Sequence, residues 1–125
     1  MEALIKQNNS QYAGPGRDFR VIDLTASDLP VCDLVFTRDC LNHLSIAHIR
    51  KAVANIRSSG SQFLAVTQFS AQTVNRNQES GLNYRELNFQ LAAFHWPAPL
   101  EINDKRMHPG KHTAFWRTTD LPSQS

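Results

Sequence analysis

The sequence predicts an α/β fold in which parallel strands are joined by a crossover helix and closed by a C-terminal antiparallel hairpin. Three observations carry this expectation. An acid-led apolar run, Asp33-Leu34-Val35-Phe36, ends in the polar cluster Thr37-Arg38-Asp39, the pattern of a buried parallel strand whose carboxyl end faces a ligand crevice. A serine-capped apolar stripe follows and leads into a second apolar run at residues 62–68. Two further strand-like segments, 100–103 and 113–118, flank a Pro-Gly pair.

Taken in order, residues 2–9 suit a short helix, and Gly14-Pro15-Gly16 breaks it. Residues 19–24 (Phe-Arg-Val-Ile-Asp-Leu) read as a strand, residues 25–30 as a loop or single turn, and residues 33–37 as the next strand. Ser45 is placed as an N-cap. Behind it Ile46, Ile49, Val53 and Ile56 make one apolar helical stripe, with Arg50, Lys51, Asn55 and Arg57 on the wet side. Gly60 is the expected C-terminal stop. Strand, helix and strand over residues 33–68 form a βαβ unit with a right-handed crossover. Residues 70–83 are polar and predict a long loop, and Pro97 and Pro99 exclude regular structure after it. His108-Pro109-Gly110-Lys111 suits a type II turn between the last two strands. Of Phe115 and Trp116, one is expected to face the core and the other a helix or partner.

Composition narrows the function classes. With 125 residues the chain forms one domain. No apolar run approaches the roughly 20 residues of a membrane span, and Met-Glu-Ala-Leu-Ile-Lys has neither the basic lead nor the long apolar core of a signal peptide. A cytoplasmic protein without a membrane partner is expected. The net charge of +2 comes from scattered Lys and Arg, so no nucleic-acid footprint is present. Cys32 and Cys40 flank one strand and lie about 20 Å apart by strand rise, beyond disulfide reach, so two free, partly buried thiols are expected. His108 and His112 have the spacing of paired metal ligands on a helix, but Pro109-Gly110 forbids the helix and no metal is expected.

From Phe19 to Leu121 the order of features resembles the second half of a class I S-adenosylmethionine-dependent methyltransferase. The residues that carry the resemblance are an acid ending a strand (Asp23), a Leu29-Pro30, a strand Asp33-Leu34-Val35 ending in Arg38-Asp39, and a His43-Leu44. After these come Ser59-Gly60-Ser61, then Gly81, Tyr84-Arg85 and Leu87-Asn88, a Pro-rich segment and a Phe115-Trp116 strand. The resemblance implies a truncated Rossmann-like methyltransferase sheet. The family's glycine-rich cofactor loop, its first strand and its second strand are not among these residues, and Gly14-Pro15-Gly16 follows no apolar strand. The family's strand order, 3-2-1-4-5-7-6, then leaves 4-5-7-6 contiguous and strand 3 without neighbours. Strand 4 becomes an open edge. Either residues 19–24 slide in beside it, or two chains pair across the edge from Asp33 to Thr37 as a homodimer.

By carry-over, Asp23 sits near the adenine of S-adenosylmethionine and Leu24 supplies backbone contact; otherwise Asp23 caps the turn that follows it. Arg38, on the cofactor side, has the fork to hold a carboxylate or phosphate, and Asp39 orients a substrate nucleophile or accepts its proton. The alternative pairs both with neighbours in the loop. His43 is the candidate general base or a residue packed at the loop–helix junction. Tyr84, Arg85 and Asn88 line the acceptor side or anchor the long loop to the sheet. The implied activity is methyl transfer to an unknown acceptor held above Asp39. The alternatives are a non-catalytic self-associating or partner-binding module, or one half of a split methyltransferase.

Overall fold

The structure, a computed structural model, describes residues 2–103 and 110–122. Its elements in chain order are α1 (Glu2–Tyr12), β1 (Leu34–Phe36), α2 (Ile46–Ser58), β2 (Phe63–Phe69), β3 (Glu101–Asn103) and β4 (Lys111–Arg117). Short 3-10 turns lie at Leu41–His43 and Thr118–Asp120. The four strands make one open mixed sheet in the order β1-β2-β4-β3. β1 and β2 are parallel, while β4 is antiparallel to both β2 and β3. This is the contiguous four-strand order that the sequence led one to expect.

β2 is the central strand, and six of its seven residues are buried, which is why it reads as a continuous apolar run rather than an alternating one. Register sorts its two faces. Val35, Leu64 and Trp116 form one cross-sheet row, as do Val66 and Ala114; all but Val35 are buried in the main core, and Val35 packs against it. The stripe of α2 packs there through Ile49, Ala52, Val53 and Ile56, all buried. On the other face Phe36, Ala65 and Phe115 share a row. Trp116 is therefore the core residue of its pair, and Phe115 lies on the opposite, half-buried face.

α2 starts and stops where its sequence signals say. The Ser45 hydroxyl accepts from the His48 N–H at 3.1 Å, an N-cap bond, and the Asn77 side chain takes the Ile46 N–H at 2.9 Å. Gly60 has φ +83°, the left-handed conformation that ends helices at little cost for glycine. α1 runs three residues further than expected, and none of its side chains is buried.

Residues 19–24 do not form a strand. The Asn9 side chain takes both the Phe19 N–H, at 3.0 Å, and its carbonyl, at 2.7 Å, and Asp23 opens a turn. With no neighbouring strand available in the expected order, this backbone finds local partners instead. β1 is the other consequence: among the described residues it pairs with β2 alone, and instead of the buried strand expected it is an edge with Leu34 and Phe36 exposed.

The long connection from β2 to β3 is irregular, as expected, yet it contributes heavily to the core. Leu87, Phe89, Phe94 and Trp96 are all buried. Phe89 stacks on Trp96 at 4.5 Å between centroids, and Trp96 meets Trp116 edge-on at 5.0 Å. The Trp116 indole N–H donates to the Pro97 carbonyl at 2.8 Å, so the ring is buried with its polar end satisfied. Of the expected turn before β4, His108 and Pro109 lie outside the described residues; Gly110 has φ +77°, as the third position of a type II turn requires. Both cysteines are free and exposed rather than partly buried. Among the described residues no helix is long and apolar enough to cross a membrane.

Candidate functional site

The site is built where β1 ends beside the end of β2. The Thr37 N–H and hydroxyl both donate to the Ala65 carbonyl, at 2.9 and 3.0 Å, which holds the chain against β2 past the last strand residue. Asp39 then takes a left-handed conformation, φ +50°, and its N–H donates to the Thr67 hydroxyl at 2.8 Å. Such a conformation costs an ordinary side chain roughly 1–2 kcal/mol and is better tolerated by Asp. The Thr67 bond offsets part of that cost and holds the backbone that carries the carboxylate.

Two side chains meet this carboxylate, and a third packs behind them. The Tyr84 hydroxyl donates to Oδ1 at 3.0 Å. The Lys111 ammonium lies 3.2 Å from Oδ1, and also 5.7 Å from the Phe69 ring centroid and 5.9 Å from that of Tyr84. The His43 ring packs on Tyr84 at 5.3 Å. The Asp39 and Lys111 side chains are 35% and 31% exposed, so their ion pair contributes no more than about 1 kcal/mol. Partial burial acts to raise the Asp39 pKa, but the hydrogen bonds from Tyr84 and Lys111 and the charges of Lys111 and Arg38 outweigh it, and the carboxyl sits below its usual value. Tyr84 moves the opposite way. Partial burial, the bond to Asp39 and the charges of Asp39 and Glu86 all push its phenol well above the usual range. The site therefore holds a carboxylate and a neutral phenol across the ordinary pH range.

Asp39, Tyr84 and His43 thus lie together, with Arg38 exposed beside them. Arg85 is not part of the cluster. Its guanidinium donates to the Arg76 and Asn42 carbonyls at 2.6 and 2.9 Å, and the Asn42 amide returns a bond to the Arg85 carbonyl at 3.0 Å. This clamp ties the loop to the turn after β1, and desolvation lowers the guanidinium pKa. Asn88 is also an anchor: it is buried and bonds Gln68, Gln90, Ser70 and Gln72. Sequence reasoning missed Thr67, Phe69 and Lys111. No local signal marked Lys111: it opens β4, and only the pairing of β4 with β2 sets it across from Phe69.

Asp23 and Leu24 are engaged elsewhere. The Asp23 carboxylate accepts from the Thr25 N–H and hydroxyl at 2.9 and 2.7 Å, and these bonds lower its pKa. The Leu24 carbonyl accepts from the Asn55 amide at 3.1 Å, and its side chain packs on the core. These residues do not fit a cradle for S-adenosylmethionine: Asp23 is committed to its own turn, Leu24 to α2, and no strand-to-helix glycine turn stands above Asp39 among the described residues. Cys40 is exposed, yet neighbouring protein atoms crowd its thiol and raise its pKa, which weakens it as a nucleophile. No group of three metal-ligating side chains occurs among the described residues, and the His108 half of the His108–His112 pair lies outside them. A separate cavity of about 460 Å³ lies between Ile46 at the start of α2 and the loops around Val74 and Ala92, and it shares no lining residue with the Asp39 cluster. No protein-family profile matches this chain, and neither a curated protein nor a solved structure does.

Proposed function

We propose that this chain is a methyltransferase-family protein of the S-adenosylmethionine-dependent type, whose cofactor loop is not among these 125 residues and which does not turn over by itself. The observation that supports this reading is the sheet. Its order is β1-β2-β4-β3, with the first pair parallel and the last pair antiparallel, and this order agrees with the 4-5-7-6 arrangement that the resemblance implies. Asp39 then stands at the carboxyl end of a parallel pair, the usual place for a ligand in an open α/β sheet.

The test is calorimetric titration of the purified chain with S-adenosylhomocysteine at a concentration where the oligomeric state is known. Binding at about micromolar Kd means that assembly rebuilds a cofactor site, and acceptor screening follows. A flat titration up to millimolar ligand removes independent cofactor binding and leaves the split-half or module reading.

One observation favours a second reading, self-association through the edge of β1. Among the described residues no strand pairs with its outer side, and its end residues Leu34 and Phe36 are 40% and 57% exposed. Open edges of this kind are templates for pairing with another chain.

A further inference from the structure

We propose that the corner formed by Phe69, Tyr84 and Asp39 is a binding site for organic ammonium groups, and that Lys111 is its internal occupant. The walls are two aromatic rings, 6.2 Å apart between centroids and inclined at 72°. The Asp39 carboxylate forms the floor. An ammonium in the corner meets a negative charge and two ring quadrupoles at once, the combination that recognises lysine and methylated ammonium ligands. The Lys111 ammonium already makes all three contacts, at 3.2, 5.7 and 5.9 Å.

Hydrogen bonds hold the backbone beneath two of the corner's three sides. Phe69 is buried, and its N–H donates to the Leu87 carbonyl at 3.0 Å. Asp39 is held by Thr67 at its backbone and by Tyr84 at its carboxylate. Lys111 reaches the corner on a flexible four-carbon stem. Its partial exposure, and that of Tyr84 at 39%, gives an external amine a route to the same place. A preorganised corner with a displaceable lid of its own charge type is a self-occluded site. The binding claim stands on this geometry alone and not on the methyl-transfer reading.

The test is titration of the wild-type chain, Lys111→Ala and Lys111→Gln with n-propylammonium and tetramethylammonium, followed by the Tyr84 and Phe69 ring signals in NMR. Circular dichroism checks that each variant is folded, and n-propanol is the uncharged control. If Lys111 fills the corner about nine-tenths of the time, its removal tightens ammonium binding about tenfold, and Asp39→Asn in the Lys111→Ala background reverses most of that gain. The proposal is overturned if folded Lys111→Ala and Lys111→Gln bind the ammonium ions no better than wild type. It is equally overturned if n-propanol binds as well, or if binding survives Asp39→Asn.

Discussion

Asn88→Ala tests whether Asn88 is an anchor of the long connection rather than a ligand-binding residue. The Asn88 carbonyl oxygen Oδ1 accepts from the Gln68 amide at 2.9 Å and from the Gln90 N–H at 3.1 Å. Its amide donates to the Ser70 and Gln72 carbonyls at 3.4 and 3.2 Å. Ser70 and Gln90 are exposed, so water replaces Asn88 at those two groups. Gln68 is 1% exposed, so its Nε2 is left buried without that acceptor. An orphaned buried donor costs about 1–3 kcal/mol, and the lost packing brings the expected total to about 2–3 kcal/mol. For a chain of this size that corresponds to a drop in Tm of roughly 6–15 °C. The assay is urea unfolding followed by circular dichroism, with an unchanged m-value. Gln68→Ala and the double variant complete a cycle. The buried-amide argument requires Asn88→Ala to cost at least about 1 kcal/mol less when Gln68 is already gone. A loss under about 0.5 kcal/mol, or the same loss in both backgrounds, refutes it.

Two further predictions concern the turn before β4 and the titration of the site. A Cβ added at Gly110 meets the Ala71 Cβ at 2.7 Å with φ at +77°, whereas at Gly60, φ +83°, the nearest atom is Val31 Cγ2 at an ordinary 3.7 Å. Gly110→Ala is therefore expected to destabilise by about 2–4 kcal/mol and Gly60→Ala by about 1–2 kcal/mol; denaturation midpoints in which Gly60→Ala is the costlier change contradict this. The Asp39 carboxyl is lowered in the folded chain, so its contribution to stability is present above the unfolded value of about 3.9 and is lost as pH falls through the folded value. Tyr84 is raised, so its contribution is full below about 10 and is lost as pH rises beyond that. Asp39→Asn should flatten the acid limb and bring the displaced phenol absorbance back toward lower pH, and an unchanged tyrosine titration would falsify the coupling.

Periodic and punctuating residues made most of the scaffold legible. The stripe Ile46, Ile49, Val53 and Ile56 between Ser45 and Gly60 names α2 and both its ends. The apolar run from Phe63 names a strand buried on both faces. These signals are local: a helix face or a cap bond depends on residues a turn apart. Asp39 was legible for a similar reason, because the polar cluster closing an apolar strand marks its carboxyl end. The strand expected at residues 19–24 failed on a non-local condition. A strand needs a neighbour to take its backbone groups, and Asn9 and the Asp23 turn took them instead.

The roles of the polar residues on the long connection were decided only in three dimensions. Tyr84, Arg85 and Asn88 lie within five residues of one another, yet Tyr84 reaches Asp39, Arg85 clamps the Asn42 carbonyl, and Asn88 binds the buried Gln68 amide. Lys111 becomes part of the site only because β4 folds back beside β2 and sets it across from Phe69. Sequence spacing fixes which groups share one helix face or one side of a strand. It does not fix which groups meet across strands separated by an irregular loop, because those contacts depend on how the loop satisfies its own backbone. The sequence by itself therefore determined the helix, the buried strand β2 and the acid at the end of β1, while tertiary packing exposed β1 and chose that acid's partners.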